Sequence, residues 1–174
     1  MEDTEDHAMK RFMLLTLLAM GALVVFTPFA GAQETAASKG KLIINELKAT
    51  GVDDNTVATL GDVLCSHVAS KTTDYDTMCA QDAKVILQSK NNEVLLGGCD
   101  DEKCLAEVGN ILQAKLVLTG SIGTVGKKFV INLSLLDVEK GQTVARATHD
   151  VASLEDMLDG IKSAADKLIK NIKK

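Results

Sequence analysis

The sequence predicts an α/β domain, a mixed sheet flanked by helices in two or three layers, with its elements in the order β-α-β-α-α-β-β-β-α. Three observations carry this expectation. Dense apolar runs such as Leu42-Ile43-Ile44 and Leu116-Val117-Leu118 suit strands covered on both faces. Apolar residues three and four apart mark amphipathic helices, and Phe129, Ile131, Leu133 and Leu135 alternate strictly with other residues, as in a half-buried strand. Early strands separated by helices imply parallel pairing through crossovers, whereas the last three strands follow one another through short turns, so the sheet is expected to be mixed.

The first strand is placed at Leu42, Ile43, Ile44 and Leu47 and closes at Ala49-Thr50-Gly51. Asp53 or Asp54 can accept from the free N–H groups at the start of a helix, and Val57, Leu60, Leu64 and Val68 then fall on one face of it. Tyr75 to Cys79 reads as a short extended piece. Asp82 to Leu96 reads as a second helix carrying Val85, Ile86 and Leu87 and ending at Gly97-Gly98. Asp101 and Glu102 place negative charge at the positive end of a third helix, with Leu105, Val108, Ile111 and Leu112 as its buried stripe.

Ala114 to Thr119 is the next strand, and Gly120, Gly123 and Gly126 are assigned to the connection before the alternating strand. Glu139-Lys140-Gly141-Gln142 supplies a second turn, and the more polar run Thr143 to Val151 is expected at a sheet edge. Ser153 is read as the cap of a final helix whose core face is Leu154, Met157, Leu158, Ile161, Ala165, Leu168, Ile169 and Ile172.

Ahead of this domain, Phe12 to Ala32 is an apolar stretch behind Lys10 and Arg11, with Ala30 and Ala32 at the small-residue positions of an A-x-A cleavage site. That order of charge, apolar run and small residues is that of a secretory signal, so residues 1–32 are read as a signal peptide. Glu2, Asp3, Glu5 and Asp6 carry the wrong sign for its basic start, which points to Met9 as the true start. A retained segment would instead anchor the chain in the inner membrane, being about long enough for a bilayer core of ~30 Å. The cleavage site and Pro28 favour removal near Ala32, and no cysteine follows closely to take a lipid. Residues 33–40 are small and polar and are read as a flexible leader, leaving 41–174 as one folded domain in the periplasm or outside the cell.

Several function classes are disfavoured at once. The exported part is mildly acidic and its lysines are scattered, and the chain has one Tyr, four Phe and no Trp. A nucleic-acid partner would require a basic stripe and stacking residues, so none is expected. Gly120-Ser121-Ile122-Gly123-Thr124-Val125-Gly126-Lys127-Lys128 imitates a phosphate loop but lacks its first glycine and its terminal hydroxyl, and it feeds a strand instead of a helix. No G-x-S-x-G or H-E-x-x-H motif is present. His67 and His149 have no evident catalytic partner and are read as solvated. No cofactor is expected.

All four cysteines, Cys65, Cys79, Cys99 and Cys104, lie in the exported part, where thiols of folded proteins are normally oxidised. Cys99 and Cys104 bracket the first turn of a helix, a spacing within disulfide reach, and are assigned as a pair that pins the helix entry. Cys65 and Cys79 either pair across the first helix and the following strand or stand as separate core thiols. The spacing C-x13-C-x19-C-x4-C lacks the C-x2-C knuckles of structural zinc sites, and C-x4-C is wider than the C-x-x-C of redox enzymes.

The segments Cys99-Asp100-Asp101-Glu102-Lys103-Cys104-Leu105-Ala106-Glu107-Val108-Gly109 and Ala114-Lys115-Leu116-Val117-Leu118-Thr119-Gly120-Ser121-Ile122, within this element order, resemble the periplasmic α/β domain shared by the TolB amino-terminal domain, the CsgG curli secretion component and the LpoB-type activators of penicillin-binding proteins. The resemblance spans about Lys41 to Ile172, in the C-x4-C version seen in uncharacterised envelope proteins. It implies a non-catalytic domain that docks onto a protein partner in the cell envelope, without naming that partner. The chain lacks the propeller of TolB, and the lipid-anchor cysteine and pore strands of the curli component, so Tol-system and transport roles are not expected. The competing expectation is a small periplasmic thiol protein or enzyme, motivated by the four cysteines and two histidines.

Overall fold

The structure, a computed structural model, describes residues 38–90, Cys99 and residues 101–172. The signal segment, most of the leader and the stretch 91–98, on which the end of the second helix was placed, lie outside the described residues. The elements are β1 (Lys41–Thr50), α1 (Asp54–Lys71), β2 (Asp76–Met78), α2 (Ala80–Ser89), α3 (Glu102–Ile111), β3 (Ala114–Val125), β4 (Lys128–Asp137), β5 (Gln142–Val151) and α4 (Met157–Ile172). They form one mixed five-stranded sheet in the order β2-β1-β3-β4-β5, parallel across β2-β1-β3 and antiparallel across β3-β4-β5. This is the fold class and the element order expected from the sequence.

Alternation along the strands sorts their side chains into two cores. Leu42, Ile44, Leu118, Ile122, Ile131, Leu133 and Leu135 meet α1 and α4 on one face of the sheet. Ile43, Val117 and Leu136 meet α2 and α3 on the other. The early half of β1 is therefore buried on both faces, while from Asn45 to Thr50 it alternates between half-buried and exposed.

Local chemistry sets the helix ends. Asp53 accepts from the Thr56 N–H at 2.9 Å to open α1, and the buried Thr72 closes it by donating its hydroxyl to Val68 O at 2.8 Å. Asp101 accepts from the Cys104 N–H at 2.8 Å to open α3. Just past the end of that helix and its cap Leu112, Gln113 takes φ 56°, a left-handed position more often filled by glycine.

Four expectations need correction. The strand β3 does not stop at Thr119 but runs to Val125, because β4 offers it a partner at every step from Leu116↔Asp137 to Val125↔Lys128. Gly120 and Gly123 thus lie inside a strand, and only Gly126, at φ +63°, belongs to the turn. Gly120 is glycine for lack of space, since a Cβ there would strike the Asn132 carbonyl and the side chains of Leu133 and Leu47. The helix α2 begins at Ala80, not Asp82, and buries Ala83 and Leu87, leaving Val85 65% exposed.

The other two concern stripes read too generously. Ser153 exchanges hydrogen bonds with Asp156, but α4 starts only at Met157 and buries Met157, Gly160, Ile161, Ala164, Ala165, Leu168 and Ile169. Leu154 precedes the helix and Leu158 lies about 100° round it from Met157, so they stay 49% and 46% exposed and outside the core. In α3, Ile111 is only half-buried.

Candidate functional site

The parallel half of the sheet is incomplete. β2 has three residues and pairs only with Lys41, Leu42 and Ile43, so no described strand lies beside β1 from Ile44 to Thr50 on that side. Opposite the gap, β1 carries a bulge: Ile44 pairs with Leu118 and Leu47 with Gly120, three steps on one strand against two on the other. A bulge twists its strand and re-aims the side chains of the extra residue, here within Asn45–Glu46. Beside it opens a cleft of about 280 Å³, walled by Ile44 to Leu47 of β1, by Asp54, Ala58, Gly61, Asp62 and Cys65 of α1, and by Cys79, Ala80 and Gln81 at the start of α2.

Three carboxylates, those of Glu46, Asp54 and Asp62, line this cleft, and no cation does among the described residues. Lys84 approaches Glu46 from outside, 3.5 Å away, in an ion pair with both side chains well exposed. Gly61 is the less obvious feature. Of the glycines inside described helices, Gly109 and Gly160 are forced by space: a Cβ on the first would strike Val138, and on the second it would come within 2.6 Å of Val151. A Cβ on Gly61 would meet nothing within 4 Å.

The cysteines expected as candidate site residues are placed in two bridges. Cys65 of α1 and Cys79, the residue before α2, are joined with 5.7 Å between their Cα atoms, and both line the cleft. Cys99 and Cys104 are joined across the first turn of α3 with Cα atoms 5.4 Å apart. Among the described residues no cysteine is free and no group of three or more metal-ligating side chains converges.

The Cys99–Cys104 end of α3 is also tied to the far edge of the sheet. Glu102 accepts from the Thr143 N–H of β5 at 3.2 Å and lies 3.5 Å from Arg146. The bonds from Thr143, and then the Arg146 charge, hold its carboxyl below the usual glutamate range. Lys48, Thr119, Ser121, Asn132 and Ser134 of the sheet line a depression together with Cys99 and Leu105. Asn132 accepts from the Thr148 hydroxyl there at 2.9 Å.

The histidines are not simply solvated. His67 Nε2 lies 2.8 Å from Asp166 on α4 with only 16% of its side chain exposed, so it ties α1 to α4. His149 Nδ1 lies 3.3 Å from Lys167 Nζ, also on α4. Sequence reasoning missed Asp166 because it lies 99 residues from His67. It also missed Asn45, Glu46 and Gly61. A glycine within the Val57 to Val68 stripe was the one available signal.

No protein-family model matches the sequence, and no curated protein does. Solved structures do resemble it. The LpoB C-terminal domain from Salmonella enterica superposes with a TM-score of 0.51 at 12% identity, over 69% of this chain and 87% of that one. The LpoB C-terminal domain from Escherichia coli gives 0.49 at 13%, over 67% and 85%. TolB from Acinetobacter baumannii gives 0.45 at 14%, over 79% of this chain and 28% of that one. Among the described residues no helix is long and apolar enough to cross a membrane. The likeness to the Salmonella enterica domain is one of fold: this chain is similar in architecture to the LpoB C-terminal domain.

Proposed function

We propose that this chain is a non-catalytic periplasmic binding or adaptor domain of the bacterial cell envelope, acting through protein–protein contacts. The observation that carries the reading is the edge Ile44–Thr50 of β1, beside which no described strand lies on the β2 side, with the cleft at its mouth. An unpaired strand edge presents N–H and C=O groups that native proteins usually cover or blunt, and one left open is a ready template for a partner chain. The LpoB-like architecture and the resemblance of the Cys99–Gly109 and Ala114–Ile122 segments support the same reading. Export would follow from the signal segment, with the mature chain beginning near Gln33.

The test is photo-crosslinking in the native host, with a benzophenone amino acid placed at Gln81 on the cleft and, as control, at Asp159 on the exposed side of α4. A discrete adduct with one envelope protein from Gln81 and none from Asp159 is expected; no adduct from Gln81 or other surface positions would refute the proposal. Sequencing the mature amino terminus tests export.

A thiol–disulfide enzyme is the second reading, favoured by one observation, that Cys65–Cys79 lines the cleft. The bridge is expected to survive a reducing glutathione buffer of cytosol-like poise and the protein to leave insulin unreduced. Facile reduction with insulin turnover would favour the enzyme.

A further inference from the structure

We infer that the cleft beside β1 takes an extended segment of a partner protein, carrying Lys or Arg in alternation with apolar residues, which adds as a strand beyond the end of β2, where no described strand lies. The inference rests on the binding-domain reading above and names the chemistry of the partner. Ile44 to Thr50 is an edge about 20 Å long at ~3.3 Å per residue, enough for a strand of ordinary length. Main-chain hydrogen bonds to that edge would supply affinity, and the cleft would receive alternate side chains of the guest.

Charge selects the guest. Glu46, Asp54 and Asp62 line the cleft and none of its described lining residues is a cation; Lys84 pairs with Glu46 from outside, and Asp62 also borders the depression that Lys162 lines. Asp54 also serves the first turn of α1, where acid is favoured at any helix start, so Glu46 and Asp62 carry the selectivity.

Gly61 supplies independent support. A glycine inside a helix weakens it, and the other two described helical glycines are there because a neighbour fills the space of a Cβ. At Gly61 the protein's own packing demands nothing, and the missing side chain widens the cleft where a guest backbone would run.

The experiment uses the oxidised domain with its full exported sequence and an immobilised library of fully randomised peptides about nine residues long. Retained peptides are then measured singly by fluorescence anisotropy against wild type, Gly61→Leu and the double variant Glu46→Gln, Asp62→Asn. The expected pool alternates Lys or Arg with apolar residues. Gly61→Leu should lower affinity at least about tenfold, and the charge variant about threefold or more, with the wild-type affinity falling as salt rises. Cooperative thermal melting at or above the wild-type midpoint shows that each variant folds, and amide exchange of Asn45–Thr50 slowed by peptide places the guest on the edge.

A retained pool without basic residues, or affinity indifferent to Gly61→Leu, overturns the inference, as does a wild-type dimer that Gly61→Leu dissolves, because the occupant is then a second copy. If the peptides fail while crosslinks to an envelope protein arise from another surface, this inference falls and the binding-domain reading stands. If both fail, both fall.

Discussion

Replacing Gly61 by Ala removes the helical cost of glycine and adds a methyl group to open space. The magnitude follows from two quantities. Glycine in a helix interior is about 0.8–1.0 kcal/mol less favourable than alanine, and a Cβ at Gly61 meets no atom within 4 Å, so no clash offsets the gain. The variant should gain about 1 kcal/mol, roughly 3–5 °C in Tm for a domain of this size. Gly160→Ala supplies the contrast. There the same gain in propensity meets a Cβ placed 2.6 Å from Val151 Cγ1 and 3.1 Å from Ile131 Cδ1. Overpacking of this kind costs about 1–3 kcal/mol, leaving a net loss of up to about 2 kcal/mol. Urea unfolding of the oxidised proteins, followed by circular dichroism at neutral pH, measures both. A Gly61→Ala variant less stable than wild type would show that the position is occupied in the folded domain, and the case for an open cleft would fail with it.

Replacing Cys65 and Cys79 together by Ala should cost about 3 kcal/mol, and replacing Cys99 and Cys104 about 2, because the loop closed by the first bridge is longer; equal losses in urea melts would contradict a chain-entropy origin. Glu102→Gln should weaken the tie between α3 and β5. The Glu102 carboxyl is held below its ordinary range by Thr143 and then Arg146, so its stabilisation is complete above the unfolded glutamate value and lost as pH falls through the lower folded value. The stability difference between wild type and variant should hold from neutral pH down to the ordinary glutamate range and vanish in stronger acid; a difference that grows in acid would reverse the assignment. Leu158→Lys should change stability by less than about 0.5 kcal/mol, since the side chain lies outside the core, whereas Ile161→Ala on the buried face should cost about 2–5 kcal/mol.

Periodicity made most of the fold legible. The stripe Val57, Leu60, Leu64, Val68 placed α1, and the alternation through Leu135 placed β4 with its buried face correct. The misreadings share a cause: a residue type stood in for a spatial relation. Glycine favours turns, so Gly120 and Gly123 read as turn markers, yet Gly120 is set by the Asn132 carbonyl arriving from another strand. Leu154 and Leu158 were counted as core because leucine favours burial, although helix pitch carries Leu158 away from Met157. The site was harder to see. β1 lacks a described neighbour from Ile44 onward on the β2 side because β2 stops at Met78, and the bulge exists because Asn45–Glu46 gains a residue on β3. Neither leaves a period in the sequence. His67 and Asp166 likewise meet only once α1 and α4 pack side by side on one face of the sheet.

The two bridges join the first cysteine to the second and the third to the fourth, spanning 14 and 5 residues. Four cysteines allow three connectivities, and this is the one in which no bridge encloses or crosses another. A chain emerging amino terminus first from a translocon would expose Cys65 and Cys79 before Cys99 and Cys104, so that at each stage the nearest available thiol is the native one. Vectorial oxidation would then yield the native bridges directly, and the domain should mature under an oxidase alone, without the slow reshuffling for which an isomerase is required.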